Sequence, residues 1–167
     1  MTLAQTTVLE YEASVPVTRK HLERIPDDKL TWRPDPKSMS IGQLGLHLAT
    51  SSGGIAEFMR LDNVEMPNFG FPEPASTAEI LAALDEAAGK VRASLWDFSD
   101  EAMGGSCNFV ANGHVVMSFP RMMIARDILL NHNYHHRGQL SVYLRLLGVP
   151  VPSTFGPSAD EAFTLPE

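Results

Sequence analysis

Hydrophobic residues recur at helical spacing in four stretches of this chain, and that periodicity predicts its main elements. The predicted helices run from about Thr2 to Arg24, from Ser40 to about Arg60, from Ser76 to about Leu95, and from Ser118 or Pro120 to Leu147. Each has one apolar side and one polar side. Because such helices bury their apolar sides against each other, the pattern predicts an antiparallel bundle.

Local sequence signals mark where these helices begin and where one of them is weak. Ser40 with Gln43, and Ser76 with Glu79, have the spacing of capping boxes at the starts of the second and third helices. Pro16 lies inside the first predicted helix and lacks the backbone donor that a helix needs there. We therefore expect a kink or a break at Pro16.

The hydrophobic period changes just before the last helix. Asn112-Gly113 separates two short segments, 108–111 and 114–117, which is the strongest local signal for a two-residue β-hairpin turn. Residues 61–75 are rich in Pro, Gly and Asn and predict a connection over the surface. From Gly148 onward the chain is too rich in turn-forming residues to continue as helix.

The length of the chain is consistent with these elements forming a single domain. A chain of 167 residues can bury a substantial core without disulfide staples. We therefore predict an all-α fold, a four-helix bundle with a short β-hairpin before the last helix, as one domain over residues 1–167. The one cysteine, Cys107, cannot form an intrachain disulfide, and it is expected to be a buried or half-buried side chain rather than a nucleophile.

Composition argues against several classes of partner. The net charge is −7, and the 13 Lys and Arg residues are scattered, so nucleic acid is not an expected partner. Four arginines of the last helix are expected to form a solvated face: Arg121, Arg126, Arg137 and Arg145. The chain has no signal-peptide pattern near Met1 and no long apolar run, so we expect a cytoplasmic protein that does not bind membranes.

Two histidines one helical turn apart, His132 and His136, are the main candidates for chemistry. They lie on the apolar side of the last predicted helix, and a third histidine, His47, lies between apolar residues of the second. Each buried imidazole without a partner costs about 1–3 kcal/mol, and one shared ion removes that cost. His135 competes as a ligand, but it points about 100° away from His136 along the helix.

A metal ion held by only three histidines keeps open coordination positions. This suits a catalytic metal better than a structural one, since structural zinc sites usually have four protein ligands. Imidazole ligands favour zinc, nickel, copper or iron over magnesium or calcium. The residues alone leave two interpretations open: a metal site, or three unrelated histidines that are hydrogen-bonded in the core or exposed.

The sequence also resembles a known family, the DinB/YfiT-like superfamily, and within it the damage-inducible DinB group. The likeness extends from about Leu30 to Glu161. It rests on the three histidines and on four runs of sequence: Leu30-Thr31-Trp32-Arg33-Pro34, Ser40-Ile41-Gly42-Gln43-Leu44, His135-His136-Arg137-Gly138-Gln139, and the tail Gly148-Val149-Pro150-Val151-Pro152-Ser153 with Phe155-Gly156-Pro157-Ser158-Ala159-Asp160-Glu161.

This resemblance implies a four-helix bundle, often a homodimer, that binds a divalent metal ion, and with imidazole ligands we expect that ion to be zinc or nickel. By matching position, the implied metal ligands are His47, His132 and His136. Characterised members resemble metal-dependent enzymes that use low-molecular-weight thiols such as bacillithiol or mycothiol, namely S-transferases and a maleylpyruvate isomerase. A thiol cosubstrate and a small-molecule substrate are therefore expected here.

Three functions remain open at this point. The first is transfer of a small thiol to an electrophile, because a bound cation holds a thiol as thiolate at neutral pH. The second is metal-dependent hydrolysis. Hydrolysis uses a general base near the metal, and no Asp or Glu lies within a turn of His132 or His136. The third is a metal-binding stress-response protein without turnover.

Several other side chains are expected to have supporting roles. Gln139 and Arg137 are candidates to orient ligands or substrate, with a loop hydrogen bond and an ion pair as the respective alternatives. Trp32 is expected to pack its loop onto the bundle. His21 and His114 are expected at the surface or in loops.

Overall fold

Four long helices lie side by side in the computed structural model, which describes residues 1–66 and 70–162. The first three are α1 (Leu3–Leu22), α2 (Ile41–Phe58) and α3 (Thr77–Leu95), and α4 (Asp100–Gly104) is a short helix after them. The fourth long helix consists of α5 (Arg121–Met123), a π-helical stretch (Ile124–Asn131) and α6 (His132–Leu146), which follow one another directly. We call these three segments the composite helix. The predicted four-helix bundle is confirmed.

The directions of neighbouring helices differ from those of a simple antiparallel bundle. In the described structure, α2 and α1 each contact both α3 and the composite helix. Gly45 lies against Ile80 and Gly53 lies against Ala87, so residue numbers rise together along α2 and α3. These two helices are therefore parallel, and the prediction that all neighbours are antiparallel was wrong. The long connection between them has room to cross the length of the bundle and reverse the expected direction.

The helix starts follow the sequence signals closely. At α2 the Ser40 hydroxyl accepts from the Gln43 backbone and the Gln43 side chain accepts from the Ser40 backbone, so the predicted capping box is confirmed. At α3, Ser76 caps Glu79, but the Glu79 carboxylate accepts from the Ala75 N–H, so this box is only half formed.

Pro16 does not interrupt α1, which is continuous from Leu3 to Leu22. The predicted break at this position was wrong. Pro16 lies on the exposed side of the helix. The carbonyl of Glu12, which loses its helical partner to the proline, therefore has access to water and is not left unsatisfied in the core.

A three-stranded sheet lies beside the helices, with strands β1 (Asn63–Glu65), β2 (Ser106–Ala111) and β3 (His114–Pro120) in that order. The predicted hairpin is confirmed as β2 and β3, which are antiparallel. Its turn places Asn112 at φ 52° and Gly113 at φ 77°, the left-handed region that this residue pair favours. The strand β1, within the predicted surface connection, pairs in parallel with β2.

Beyond Gly148, whose φ is 72°, the described tail contains no helix, as predicted. Trp32 packs its loop onto the bundle as expected, since its ring meets that of Tyr143 edge-on at 5.8 Å between centroids. No helix in the described part of the chain is long and apolar enough to cross a membrane.

The predicted solvated face of arginines on the composite helix is only half correct. Arg126 and Arg145 are exposed, at 66% and 49% of their side chains. Arg121 and Arg137 are instead buried, at 6% and 3% exposure. Arg121 is buried because backbone carbonyls at the end of α2 accept its hydrogen bonds, and Arg137 because aromatic rings cover it.

The close contact between α2 and α3 leads to a first prediction about stability. A Cβ atom at Gly53 would lie 3.0 Å from Ala87 Cα, whereas a Cβ at Gly89 on the exposed side of α3 meets nothing within 4 Å. Both substitutions to alanine gain helix propensity, but only Gly53→Ala forces the two helices apart. We expect Gly53→Ala to be less stable than Gly89→Ala by about 1–3 kcal/mol in urea unfolding. Equal stabilities would contradict the close helix contact.

Candidate metal centre

The three predicted histidines meet at one point in the bundle. His47 projects from α2, while His132 is the first residue of α6 and His136 follows one turn later. His132 Nε2 lies 3.4 Å from His47 Nε2 and 3.0 Å from His136 Nε2. One nitrogen from each of the three residues lies within 4.8 Å of the others. The helices therefore bring together residues that are 85 positions apart in the chain.

These separations suit three nitrogens that share one ion. With metal–nitrogen bonds of about 2.0–2.1 Å, two ligands lie about 2.9 Å apart at a right angle and about 3.4 Å apart at the tetrahedral angle. The observed distances around His132 Nε2, 3.0 and 3.4 Å, lie in this range. The three rings are also mutually perpendicular, at interplanar angles of 86–87°, so each presents its edge to the common point. The donor set therefore fits a divalent ion.

A hydrogen bond to His136 prepares its inner nitrogen for such a role. His136 Nδ1 lies 2.9 Å from Gln139 Oε1, and because that oxygen only accepts, the proton is on Nδ1. The lone pair is then on Nε2, the atom nearest the other two histidines. Gln139, one of the side chains expected to orient a ligand, makes this contact, and it has no hydrogen bond to a loop among residues 1–66 and 70–162.

The surroundings also keep the histidines unprotonated at neutral pH. Burial, followed by the charges of the neighbouring histidines, lowers the pKa of His47 to about 4 and that of His132 to about 4. Burial likewise lowers the pKa of His136, against the opposing effect of its bond to Gln139. Neutral imidazoles have free lone pairs, which is the form that binds metal ions.

The remaining histidines divide between the surface and the core. His135 is exposed and its neighbour His136 is buried, which agrees with the prediction that His135 points away from the cluster. His114 is exposed, as expected. His21 is fully buried, so its predicted place at the surface was wrong. Its Nδ1 lies 2.9 Å from the Val17 carbonyl oxygen within α1, while its Nε2 is buried without a hydrogen-bond partner among the described residues.

A π-helical stretch leads directly into His132. The His132 backbone N–H donates to the carbonyl of Asp127, five residues earlier, which is the π pattern and not the α pattern. The sequence periodicity treated this region as ordinary α-helix and missed it. The wider turn places Ile124 and Ile128 in the wall of the space in front of the histidines.

That space is a cavity of about 590 Å³ with the three histidines in its wall. The other side chains around it are almost all apolar, and they come from several parts of the fold: Ile55 and Phe58 of α2, Phe71 of the connection, Phe109 and Phe119 of the hairpin, and Ile128 of the composite helix. No Asp or Glu occurs among the described residues that line it. A cavity of this size accommodates a small organic molecule.

Comparisons with known proteins agree with this architecture. Residues 10–140 match the family model of the DinB superfamily. The chain belongs to the DinB superfamily. A curated relative is the uncharacterized protein YrdA of Bacillus subtilis (strain 168), which is 27% identical over 157 residues, covering 91% of this chain and 86% of YrdA.

Two solved structures of DinB-like proteins have the same fold as this DinB-superfamily chain. One, from Bacillus cereus ATCC 10987, superposes with a TM-score of 0.70 at 21% identity and covers 89% of this chain and 95% of that protein. The other, YjoA of Bacillus subtilis, gives a TM-score of 0.67 at 20% identity and covers 89% and 96%. At these identities the likeness concerns the fold alone.

Cys107 is fully buried in this DinB-superfamily chain, as expected for a structural side chain. Burial raises the pKa of its thiol, and its sulfur lies 3.7 Å from the Phe58 carbonyl oxygen. A buried thiol with a raised pKa is a poor nucleophile.

The bond between Gln139 and His136 leads to a second prediction. Gln139→Ala removes the acceptor that fixes the tautomer and orientation of the His136 ring. Such outer-sphere partners typically contribute 10–100-fold to metal affinity, so we expect a loss of roughly that size. Zinc titration by isothermal calorimetry measures it. Ser141→Ala, two residues further along the helix, is the control, and an equal effect of both substitutions would argue against an orienting role for Gln139.

Proposed function

We propose that this protein is a metal-dependent enzyme that transfers a low-molecular-weight thiol to an apolar electrophilic small molecule. His47, His132 and His136 hold the divalent ion, zinc or nickel, and the cavity in front of them receives the substrates. The observation that carries this proposal is the convergence of three imidazole nitrogens at the wall of an apolar cavity.

The ligand set supports a catalytic ion more than a structural one. Three nitrogen ligands leave coordination positions open, and the cavity gives those positions access to a small molecule. When bound, the ion supplies the positive charge that keeps a thiol deprotonated at neutral pH. The three neutral imidazoles bring no negative charge of their own, so this positive charge is not cancelled by the ligands.

The cavity lining favours a thiol over water as the nucleophile. Hydrolysis at such a site commonly uses a carboxylate as general base, and the described lining offers none. A mostly apolar wall also excludes water, which strengthens electrostatic interactions inside the cavity and limits competing hydrolysis. The hydroxyls of Thr50 and Ser51, beside the histidines, are the polar groups available to orient the incoming molecules.

The proposed reaction is a simple substitution. The thiol loses its proton, its sulfur forms a bond to the electrophilic carbon, and the leaving group departs with the electron pair of its former bond to carbon. The released proton ends on the leaving group or in solvent. No oxidant or reductant is required.

The test is turnover of an electrophile by the metal-loaded protein. Monochlorobimane is the electrophile, and bacillithiol, mycothiol, cysteine and glutathione are supplied one at a time. We expect thioether formation above the uncatalysed rate with at least one thiol, and no such rate in His132→Ala. Hydrolysis of an ester panel without any thiol would overturn the proposal in favour of a hydrolase. Metal binding without turnover on either panel would overturn it in favour of a non-catalytic metal-binding protein.

A further inference from the structure

A second group of residues, on a different side of the composite helix from the histidine cluster, surrounds the buried side chain of Arg137. This residue lies on α6 and is 3% exposed. It faces α1 and the tail, because its guanidinium contacts Thr18 and lies over the ring of Phe155. His132 and His136 face α2 instead, where they meet His47. The composite helix therefore carries two candidate sites: the histidine cluster on the side that faces α2, and Arg137 on the side that faces α1 and the tail.

Two aromatic rings lie beside the guanidinium, and most of its hydrogen-bond donors have no partner among the described residues. Its central carbon lies 5.1 Å from the centre of the Tyr134 ring and 4.9 Å from that of Phe155. The five N–H donors of an arginine lie in the plane of the group and not on its faces. Among the described residues it donates a single side-chain hydrogen bond, from Nη1 to Thr18 Oγ1 at the long distance of 3.4 Å.

The positive charge of Arg137 also lacks a counter-ion among the described residues. No carboxylate of the described residues lies within ion-pair distance of the Arg137 guanidinium. The ion pair that was considered for Arg137 from the sequence is therefore not formed among these residues. The nearby Glu161 pairs with Arg24, and Glu10 accepts from the Tyr134 hydroxyl. An arginine remains protonated at any physiological pH, and a buried charge without a partner is unfavourable. An anion that bound at the guanidinium would supply the missing counter-charge and remove this unfavourable free energy.

An open groove of about 410 Å³ lies where that anion would bind. One wall is the α6 face from Tyr134 to Ser141, which includes Arg137, and the other wall is the tail segment 154–157. A Cβ atom added at Gly138 or at Gly156 would meet no other atom within 4 Å, so the space between the walls is free of protein. Phe155 is 74% exposed and offers an apolar ring at the entrance.

We propose that this groove, which we call the Arg137 groove, binds a small oxyanion, a carboxylate or a phosphate. The in-plane N–H donors of Arg137 hold two oxygens of the anion side by side, the geometry in which arginine binds both groups best. The hydroxyl of Thr154 lies in the same walls and adds a hydrogen bond to the anion. An apolar part of the ligand rests on the exposed ring of Phe155. This site is independent of the metal centre and of the proposed thiol transfer.

The first test is titration of the protein with inorganic phosphate and, separately, with malonate, at constant ionic strength set by chloride. Backbone amide NMR shifts of residues around Gly138 report binding. We expect saturable shifts with at least one anion, and the anion that binds more tightly identifies the source as phosphate or carboxylate. Absence of saturable binding by both anions would overturn the proposal.

A pair of arginine variants shows whether Arg137 itself holds the anion. Arg137→Met keeps the apolar stem and removes the donors, and it should weaken binding at least tenfold. Arg126→Met removes an exposed arginine from the same helix and should leave the affinity unchanged. Equal affinity in the wild type and Arg137→Met would show that Arg137 does not hold the anion, and an equal loss in both variants would show that the anion binds the general positive charge of the helix. Either result would overturn the proposal.

A third variant keeps the test decisive if Arg137→Met is unstable. Gly138→Leu places a side chain in the groove while retaining Arg137, and its Cβ meets no protein atom. Replacing a glycine inside a helix also raises helix propensity, so the thermal midpoint should equal or exceed that of the wild type. We expect this variant to lose the anion-dependent shifts. Binding equal to that of the wild type would place the anion elsewhere and overturn the proposal.

Discussion

Replacing His132 with alanine is expected to abolish tight metal binding while the bundle stays folded. His132 Nε2 is the central atom of the cluster, 3.4 Å from one partner nitrogen and 3.0 Å from the other. Loss of an outer-sphere partner typically costs 10–100-fold in metal affinity, so loss of this direct ligand should cost more than about 100-fold. Competition with a chelator of known zinc affinity measures the change, and elemental analysis of the purified proteins checks it independently.

The matched control for this experiment is His135→Ala. His135 carries the same imidazole on the same helix but is exposed and points away from the cluster. Zinc at a concentration about 1,000 times its dissociation constant stabilises a folded protein by about 4 kcal/mol, so thermal unfolding gives a second readout. We expect zinc to raise the midpoint of the wild type and His135→Ala but not of His132→Ala. Equal metal content in the two variants would refute the three-histidine site.

Arg121→Met is expected to destabilise the protein more than any surface substitution. Arg121 Nε donates to the Met59 carbonyl at 2.7 Å, and Nη2 donates to the Leu61 carbonyl at 3.0 Å and to Asp62 at 2.7 Å. It thereby joins the start of the composite helix to the end of α2. Methionine fills a similar volume but leaves two carbonyls without their donor, which costs about 2–4 kcal/mol in total. Urea unfolding followed by circular dichroism measures the loss.

The comparison variant for Arg121→Met is Arg126→Met. Arg126 lies on the same helix, but its side chain is 66% exposed and its nearest carboxylate oxygen, on Glu10, is 3.6 Å away. Exposed ion pairs of this kind contribute at most about 1 kcal/mol. A loss of stability as large in Arg126→Met as in Arg121→Met would mean that the buried hydrogen bonds of Arg121 are not the cause.

The parts of the fold that were predictable from sequence are those with local causes. The capping box of Ser40 and Gln43 and the turn at Asn112-Gly113 depend on a few adjacent residues, and both appear as predicted. The parallel direction of α2 and α3 depends on how a long connection crosses the bundle, which no local pattern encodes. The strand β1 has three residues, too few for an alternating pattern to be visible.

The candidate site follows the same division. The spacing of His132 and His136 was visible because both lie on one helix, and His47 could be matched to them through its apolar neighbours and the family resemblance. The burial of Arg137 and His21 was not predictable, because charged or polar residues on a helix usually face solvent. Aromatic rings cover Arg137, and its own helix supplies the partner of His21. Both are tertiary arrangements.

Part of the cavity wall comes from segments of the chain that do not carry the histidines, so the shape of the cavity can change independently of the histidine cluster. The histidines stand on two helices whose packing fixes their positions. Much of the wall facing them comes from the hairpin and the connection, through Phe109, Phe119 and Phe71. Substitutions in those segments alter the shape of the cavity without moving the helices. The volume and outline of the cavity can therefore change through small, separate substitutions while the three imidazoles keep their positions.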